Sequence, residues 1–152
     1  MKAIAYIPLV AFALVTVACG SGSADNDQDA SATKANVVAF SYSDPVSSVA
    51  TQYVASLSFV SLPTIGLNPI VFTLQENQDM ITLVPVSDAT VILDPQMPSM
   101  GHGSPGSINP TPTSPGLYEG KLSFSMTGTW QTTVTVREGA ITLGAPIFTT
   151  TF

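Results

Sequence analysis

The chain has little charge, one histidine and one cysteine. Only 9% of its 152 residues are charged, with 4 Lys and Arg against 10 Asp and Glu, for a net charge of −6. So few cations leave no footprint for nucleic acid and no electrostatic grip on anionic lipid. The single cysteine, Cys19, excludes an intrachain disulfide. The single histidine, His102, is the only residue on which Ser/His/Asp hydrolysis could turn. No Gly-x-Ser-x-Gly elbow is present, and no carboxylate stands beside His102 in sequence to orient it. No sustained helical period occurs anywhere, so no glycine loop opens a helix to cradle phosphate. These absences make an enzyme the least expected class.

What the chain does have is apolar residues, 45% of the total, together with abundant Thr, Ser, Val and Pro. That composition suits β-structure outside the cytoplasm. Strand signals repeat from Asn36 onward. Val37 to Tyr42 is β-prone, and Gln52 to Leu62 alternates around Tyr53, Ala55, Leu57 and Phe59. Ile70, Phe72 and Leu74 share a face, and Met80 to Val86 follows a turn at 77–79. Ala89, Val91 and Leu93 share a face up to Asp94-Pro95. Tyr118, Gly120, Leu122, Phe124 and Met126 lie on one face of a strand whose other face carries Glu119, Lys121, Ser123 and Ser125. Trp130, Thr132, Val134 and Val136 repeat the pattern, and Ala140 to Phe152 closes the chain. The Pro- and Ser-rich stretch Ser104 to Pro115 reads as a long loop. About seven short strands separated by turn signals predict an all-β fold, an immunoglobulin-like antiparallel β-sandwich.

The first 18 residues have a different character. Lys2 gives a positive start, and Ala3 to Ala18 is uncharged and mostly apolar. The run is short for a membrane span and reads as a secretory signal. Leu14-Val15-Thr16-Val17-Ala18-Cys19 resembles a bacterial lipoprotein signal, in which cleavage precedes a cysteine that is then lipidated. Thr16 departs from the aliphatic residue usual three places before that cysteine. The expected organisation is therefore a signal peptide over 1–18, a lipidated Cys19 with a flexible tether over 19–35, and one domain over 36–152. The tether is too polar to order itself by burying apolar surface.

Met97-Pro98-Ser99-Met100-Gly101-His102-Gly103 points most directly at chemistry. It places two thioethers and the only imidazole within six residues. Thioether sulfur and neutral imidazole favour copper, above all Cu(I). Thioethers also persist where thiolates would be oxidised to disulfides. The absence of a carboxylate in the run argues against Ca²⁺ and Mg²⁺. By strand parity Met97 continues the inward row of Ala89, Val91 and Leu93, and Met126 that of Leu122 and Phe124. If those two strands are neighbours, Met126 joins Met97, Met100 and His102 at one end of the sandwich. Equally, Met97 and Met126 fill the end of a core as methionines often do, and His102 is a turn residue.

The Met-Pro-x-Met-Gly-His run, Gly116-Leu117-Tyr118, and Phe124-Ser125-Met126-Thr127-Gly128-Thr129-Trp130 together resemble the signature of YtkA-like domains. FixH-type proteins share a related pattern. The resemblance covers about Gly66 to Phe152, leaves out Asn36 to Leu62, and places a longer insert than usual at Ser104 to Pro115. It implies an immunoglobulin-like domain of the bacterial cell envelope, often beside copper handling or oxidase assembly. The expected function is thus a non-catalytic, lipid-anchored envelope module on the periplasmic side or at the outer membrane. It holds copper through Met97, Met100, His102 and Met126 for storage or delivery. Its expected partners are the membrane, through the anchor, and a copper-donor or acceptor protein. The alternative is a structural or protein-interaction sandwich without metal.

Overall fold

Alternation with a period of two builds two antiparallel sheets in a computed structural model that describes residues 35–79 and 81–152. The signal peptide, Cys19 and the tether lie outside the described residues, as does Met80. In chain order the strands are β1 (Asn36–Ser43), β2 (Ala50–Phe59), β3 (Gly66–Asn77), β4 (Leu83–Pro85), β5 (Thr90–Met97) and β6 (His102–Gly103). These are followed by β7 (Ile108–Ser114), β8 (Leu117–Phe124), β9 (Thr129–Glu138), β10 (Ile141–Gly144) and β11 (Ile147–Thr151). One sheet runs β1-β2-β3-β8-β7, with β4 also paired to β3. The other runs β10-β9-β5-β6, with β11 also paired to β9.

The inward rows are those the alternation predicts. Tyr53, Ala55 and Leu57 of β2 are buried, as are Ile70, Phe72 and Leu74 of β3 and Tyr118, Leu122 and Phe124 of β8. From the facing sheet come Val91, Leu93 and Met97 of β5, Trp130, Val134 and Val136 of β9, and Phe148 of β11. Burying each large side chain of this kind stabilises the fold by about 1.5–3 kcal/mol before ordering costs. Tyr118 also fixes the crossing between the sheets. Its hydroxyl donates to the Val86 carbonyl at 2.6 Å and accepts the Ala89 amide at 3.2 Å.

The expected all-β sandwich is the fold found, with three differences of detail. Eleven strands are present among the described residues rather than about seven, because four of the segments are five residues or shorter. The stretch from Ser104 to Pro115 is not a continuous loop. Residues 108–114 form β7, which pairs antiparallel with β8. Proline signals a break because it cannot donate to a ladder, yet an edge strand needs donors on one side only. Pro110 and Pro112 sit on that edge, and the register shifts between Ile108 and Thr111 and between Pro112 and Ser114. Finally, the strand expected over 80–86 is only Leu83–Pro85. Ahead of it the Asp79 carboxylate accepts the amides of Ile81 and Thr82.

Candidate functional site

Met97 ends β5 on its inward parity and is 3% exposed. Its carbonyl then accepts two amides, from Met100 at 3.1 Å and Gly101 at 3.0 Å. The turn is completed by Gly101 at φ +67°, a backbone region that favours glycine. The reversal sets His102 directly across from Met97 in the β5–β6 ladder. Cross-strand partners of this kind share a face of the sheet. A thioether and an imidazole are therefore neighbours by register.

Each side chain is positioned by a further contact. The His102 ring meets Trp130 edge-on, with centroids 5.9 Å apart and planes at 70°. Its Nδ1 lies 3.2 Å from the Gly103 carbonyl. A carbonyl only accepts, so the proton of the neutral ring sits on Nδ1 and the lone pair on Nε2. Locking one ring nitrogen in this way is what commonly prepares the other for a metal. Trp130 is fully buried, and its indole N–H donates to the Met126 carbonyl at 3.0 Å. Trp130 thus fixes the backbone that carries Met126, while the Met126 side chain is half-buried against the core.

Gly128, legible in the sequence only as part of the Phe124–Trp130 motif, has a contact that the sequence does not show. A β-carbon placed on it would lie 3.0 Å from the Met97 methyl carbon and 3.9 Å from the Met97 sulfur. Its φ of +138° also disfavours any side chain. The turn between β8 and β9 therefore closes directly over Met97. Sequence parity had required β5 and β8 to be neighbours for Met126 to approach Met97. They are not neighbours in one sheet; β5 pairs with β9, and β8 lies in the opposite sheet. The link is instead the Met126–Trp130 turn, which brings the end of β8 over to β9. Met100, at the tip of the β5–β6 turn, is 62% exposed.

The loops at this end of the sandwich carry no acidic or basic side chain except His102. The spans 57–68, 97–107 and 123–132 contain no Asp, Glu, Lys or Arg. Asp94, the acid of β5, accepts the Gln96 side-chain amide at 2.7 Å. Among the described residues no group of three or more His, Cys, Asp and Glu is placed to hold a metal ion. The donors available here are soft and neutral: thioether sulfur and imidazole nitrogen. A separate groove of about 380 Å³ lies on the six-stranded sheet, lined in part by Val60, Val71, Ile108, Glu119 and Lys121. None of the four candidate ligands lines it.

Fold and site together define a two-sheet antiparallel sandwich with a Met/His turn at one end of its smaller sheet. The chain belongs to the YtkA-like family, whose model matches residues 47–135. The match takes in Met97, Met100, His102, Met126, Gly128 and Trp130. It begins further upstream than the resemblance suggested, so it includes β2, and it stops before β10 and β11. No curated protein and no solved structure matches the chain.

Proposed function

We propose that this YtkA-like domain is a non-catalytic module that binds Cu(I) through the Met/His end of the sandwich, for storage or delivery of the ion. The observation that carries the reading is the β5–β6 register. It sets Met97 opposite His102, with the His102 Nδ1 turned to a backbone carbonyl and Nε2 left as the basic nitrogen. Met100 supplies an exposed sulfur on the connecting turn, and Met126 a half-buried one on the turn held by Trp130. Four neutral donors suit a soft monovalent ion, because they bind without losing protons. The reading includes anchorage through a lipidated Cys19 in the bacterial envelope and exchange of copper with a donor or acceptor protein.

The test is competition for Cu(I) against a chromogenic chelator under reducing conditions. Stoichiometric withdrawal of copper from the chelator is expected. It should be lost in Met97→Leu/Met100→Leu, a near volume-conserving pair of changes. No competition by the unaltered protein overturns the reading. A second reading draws on Met97 alone, whose burial and contact over Gly128 suit a residue that closes the core. In that case the turn is structural and the sandwich works by contact with other proteins.

A further inference from the structure

The ends of the sandwich differ in charge, and that difference suggests how the domain sits. The candidate ligands share their end with the loop between β2 and β3, since Gly66 pairs with Phe124 and Phe124 leads into the Met126 turn. A chain of rings joins the two: Phe59 and Phe124 lie 6.0 Å apart, Phe124 and Trp130 5.3 Å, and Trp130 and His102 5.9 Å. The β2–β3 loop exposes Val60, Leu62 and Ile65, and the neighbouring turn exposes Met100. No charged side chain lies between them on either loop. The loop is held in shape by Asn68, which is buried. Its carbonyl oxygen accepts the Thr64 amide at 2.7 Å, and its NH₂ donates to the carbonyls of Thr64 at 2.8 Å and Gly66 at 2.9 Å.

The opposite end also exposes apolar side chains, Val46 and Ile81 among them, but in different company. Asp44, Glu76, Asp79, Asp88 and Glu138 cluster on the turns and strand ends there, with Arg137 as the one cation. Hydrogen bonds from neighbouring amides hold Asp44 and Asp79 below the usual carboxylate pKa, so both stay ionised at neutral pH. Carboxylates beside Val46 and Ile81 oppose transfer of that end into an apolar phase. The loops of the Met/His end, 57–68, 97–107 and 123–132, carry no carboxylate side chain to oppose it. Chain entry agrees: Asn36, the first residue of β1, pairs with Leu57, so the segment from Cys19, which carries Asp25, Asp27, Asp29 and Lys34, joins the domain at the Met/His end.

We propose that the domain seats end-on against a lipid bilayer, with Leu62, Ile65 and Met100 entering the interfacial layer and the acidic end turned to water. The geometry uses the reading of Cys19 as the anchor. Only 16 residues, 20–35, separate Cys19 from β1, and that short spacer keeps this end near the anchor. The contact is apolar rather than electrostatic, as the scarcity of cations requires. The copper turn then faces the membrane, so exchange on this proposal is with membrane-embedded partners.

The test uses the full chain reconstituted into phosphatidylcholine vesicles, some carrying bromine on their acyl chains as a short-range quencher. Leu62→Trp and Val46→Trp place a reporter at either end, and the signal of Trp130 is subtracted using the unaltered protein. Both positions are exposed, so circular dichroism should show both variants folded. Quenching at position 62 is expected to exceed that at position 46 by roughly twofold or more, as burial of one end only requires. Adding Ile65→Asp to Leu62→Trp should cut the quenching. Protein that floats with the vesicles but is quenched equally at both positions overturns the docking alone, leaving an apolar protein surface as the occupant of these loops. Protein that does not float overturns the anchor and the docking together.

Discussion

At the residue scale, three positions in β9 and the two turns beside it carry sharp expectations. Thr132 lies in the inward row between Trp130 and Val134, fully buried, and its hydroxyl has no hydrogen-bond partner. An unpaired buried hydroxyl costs about 1–3 kcal/mol. Thr132→Val keeps the shape and removes the hydroxyl, so urea denaturation should show a gain of about 1 kcal/mol. Gly128 is the reverse case. Gly128→Ala forces a β-carbon to within 3.0 Å of the Met97 methyl at a φ of +138°. Stability should fall by about 1–3 kcal/mol, and Cu(I) affinity should fall with it as Met97 is displaced. Met100→Leu separates the two effects, because Met100 is mostly exposed and makes no core contact. Its unfolding midpoint should be unchanged while chelator competition weakens by about tenfold, the equivalent of about 1.4 kcal/mol for a lost ligand. Equal affinity in Met100→Leu and the unaltered protein would remove Met100 from the ligand set.

At the scale of elements, the edge strands test how far local pattern determines pairing. Gly120 of β8 lies under β7: a β-carbon there would meet the Ile108 carbonyl oxygen at 2.7 Å and the Pro110 nitrogen at 2.9 Å. Both are backbone atoms, which yield less easily than a flexible side chain. Gly120→Ala should therefore lift β7 from β8, and backbone amides over 117–121 should exchange faster with deuterium while those of β9 keep their protection. The same strand shows what the sequence leaves hidden. β8 and β9 were readable because each alternates between a buried and a solvated face, and every inward residue named from parity, Tyr118 to Val136, is buried apart from the half-buried Gly120 and Met126. β7 was not readable, since Pro110 and Pro112 look like loop residues until a partner edge is known. β6 was beyond reach for a different reason. Two residues carry no periodicity, and only the turn at Gly101 sets His102 against Met97. The ligand types were thus visible in the Met-Pro-Ser-Met-Gly-His run, whereas the pairing of Met97 with His102 depends on the glycine turn and the role of Gly128 on a contact with Met97, 31 residues away in sequence.

For the whole molecule, the scarcity of charge makes the response to pH depend on a few groups at the acidic end and in the core. Asp44 accepts the Val46 amide and bonds with Ser47, and Asp79 accepts from the backbone and hydroxyl of Thr82 and from the Ile81 amide; both lie below their ordinary value of 3.8. In the unfolded chain these carboxylates take up protons first. Their contribution is therefore present above about pH 4 and is lost as pH falls through the lowered folded values. Both are fully exposed, so this acid limb should be shallow. The alkaline limb has the opposite origin. Burial pushes Tyr118 above its ordinary 10.0, with the Ala89 amide acting against it, and burial also raises Tyr53, aided by Glu76 and Glu138. Above pH 10 the unfolded chain ionises these phenols while the folded chain keeps them neutral, so stability declines as pH rises from 10 through the folded values. Tyr118→Phe should flatten that decline while lowering stability at neutral pH by about 1–3 kcal/mol, since the Val86 carbonyl and the Ala89 amide lose their partner. Urea midpoints measured from pH 3 to pH 11 on both proteins check this. Curves that remain parallel above pH 10 would exclude Tyr118 as the group controlling alkaline unfolding. The Met/His end carries no carboxylate, phenol or amine side chain over 97–107 and 123–132, so the side chains behind both limbs lie elsewhere. The end proposed to bind copper and to rest on lipid is thus kept apart from the carboxylates and phenols behind both limbs.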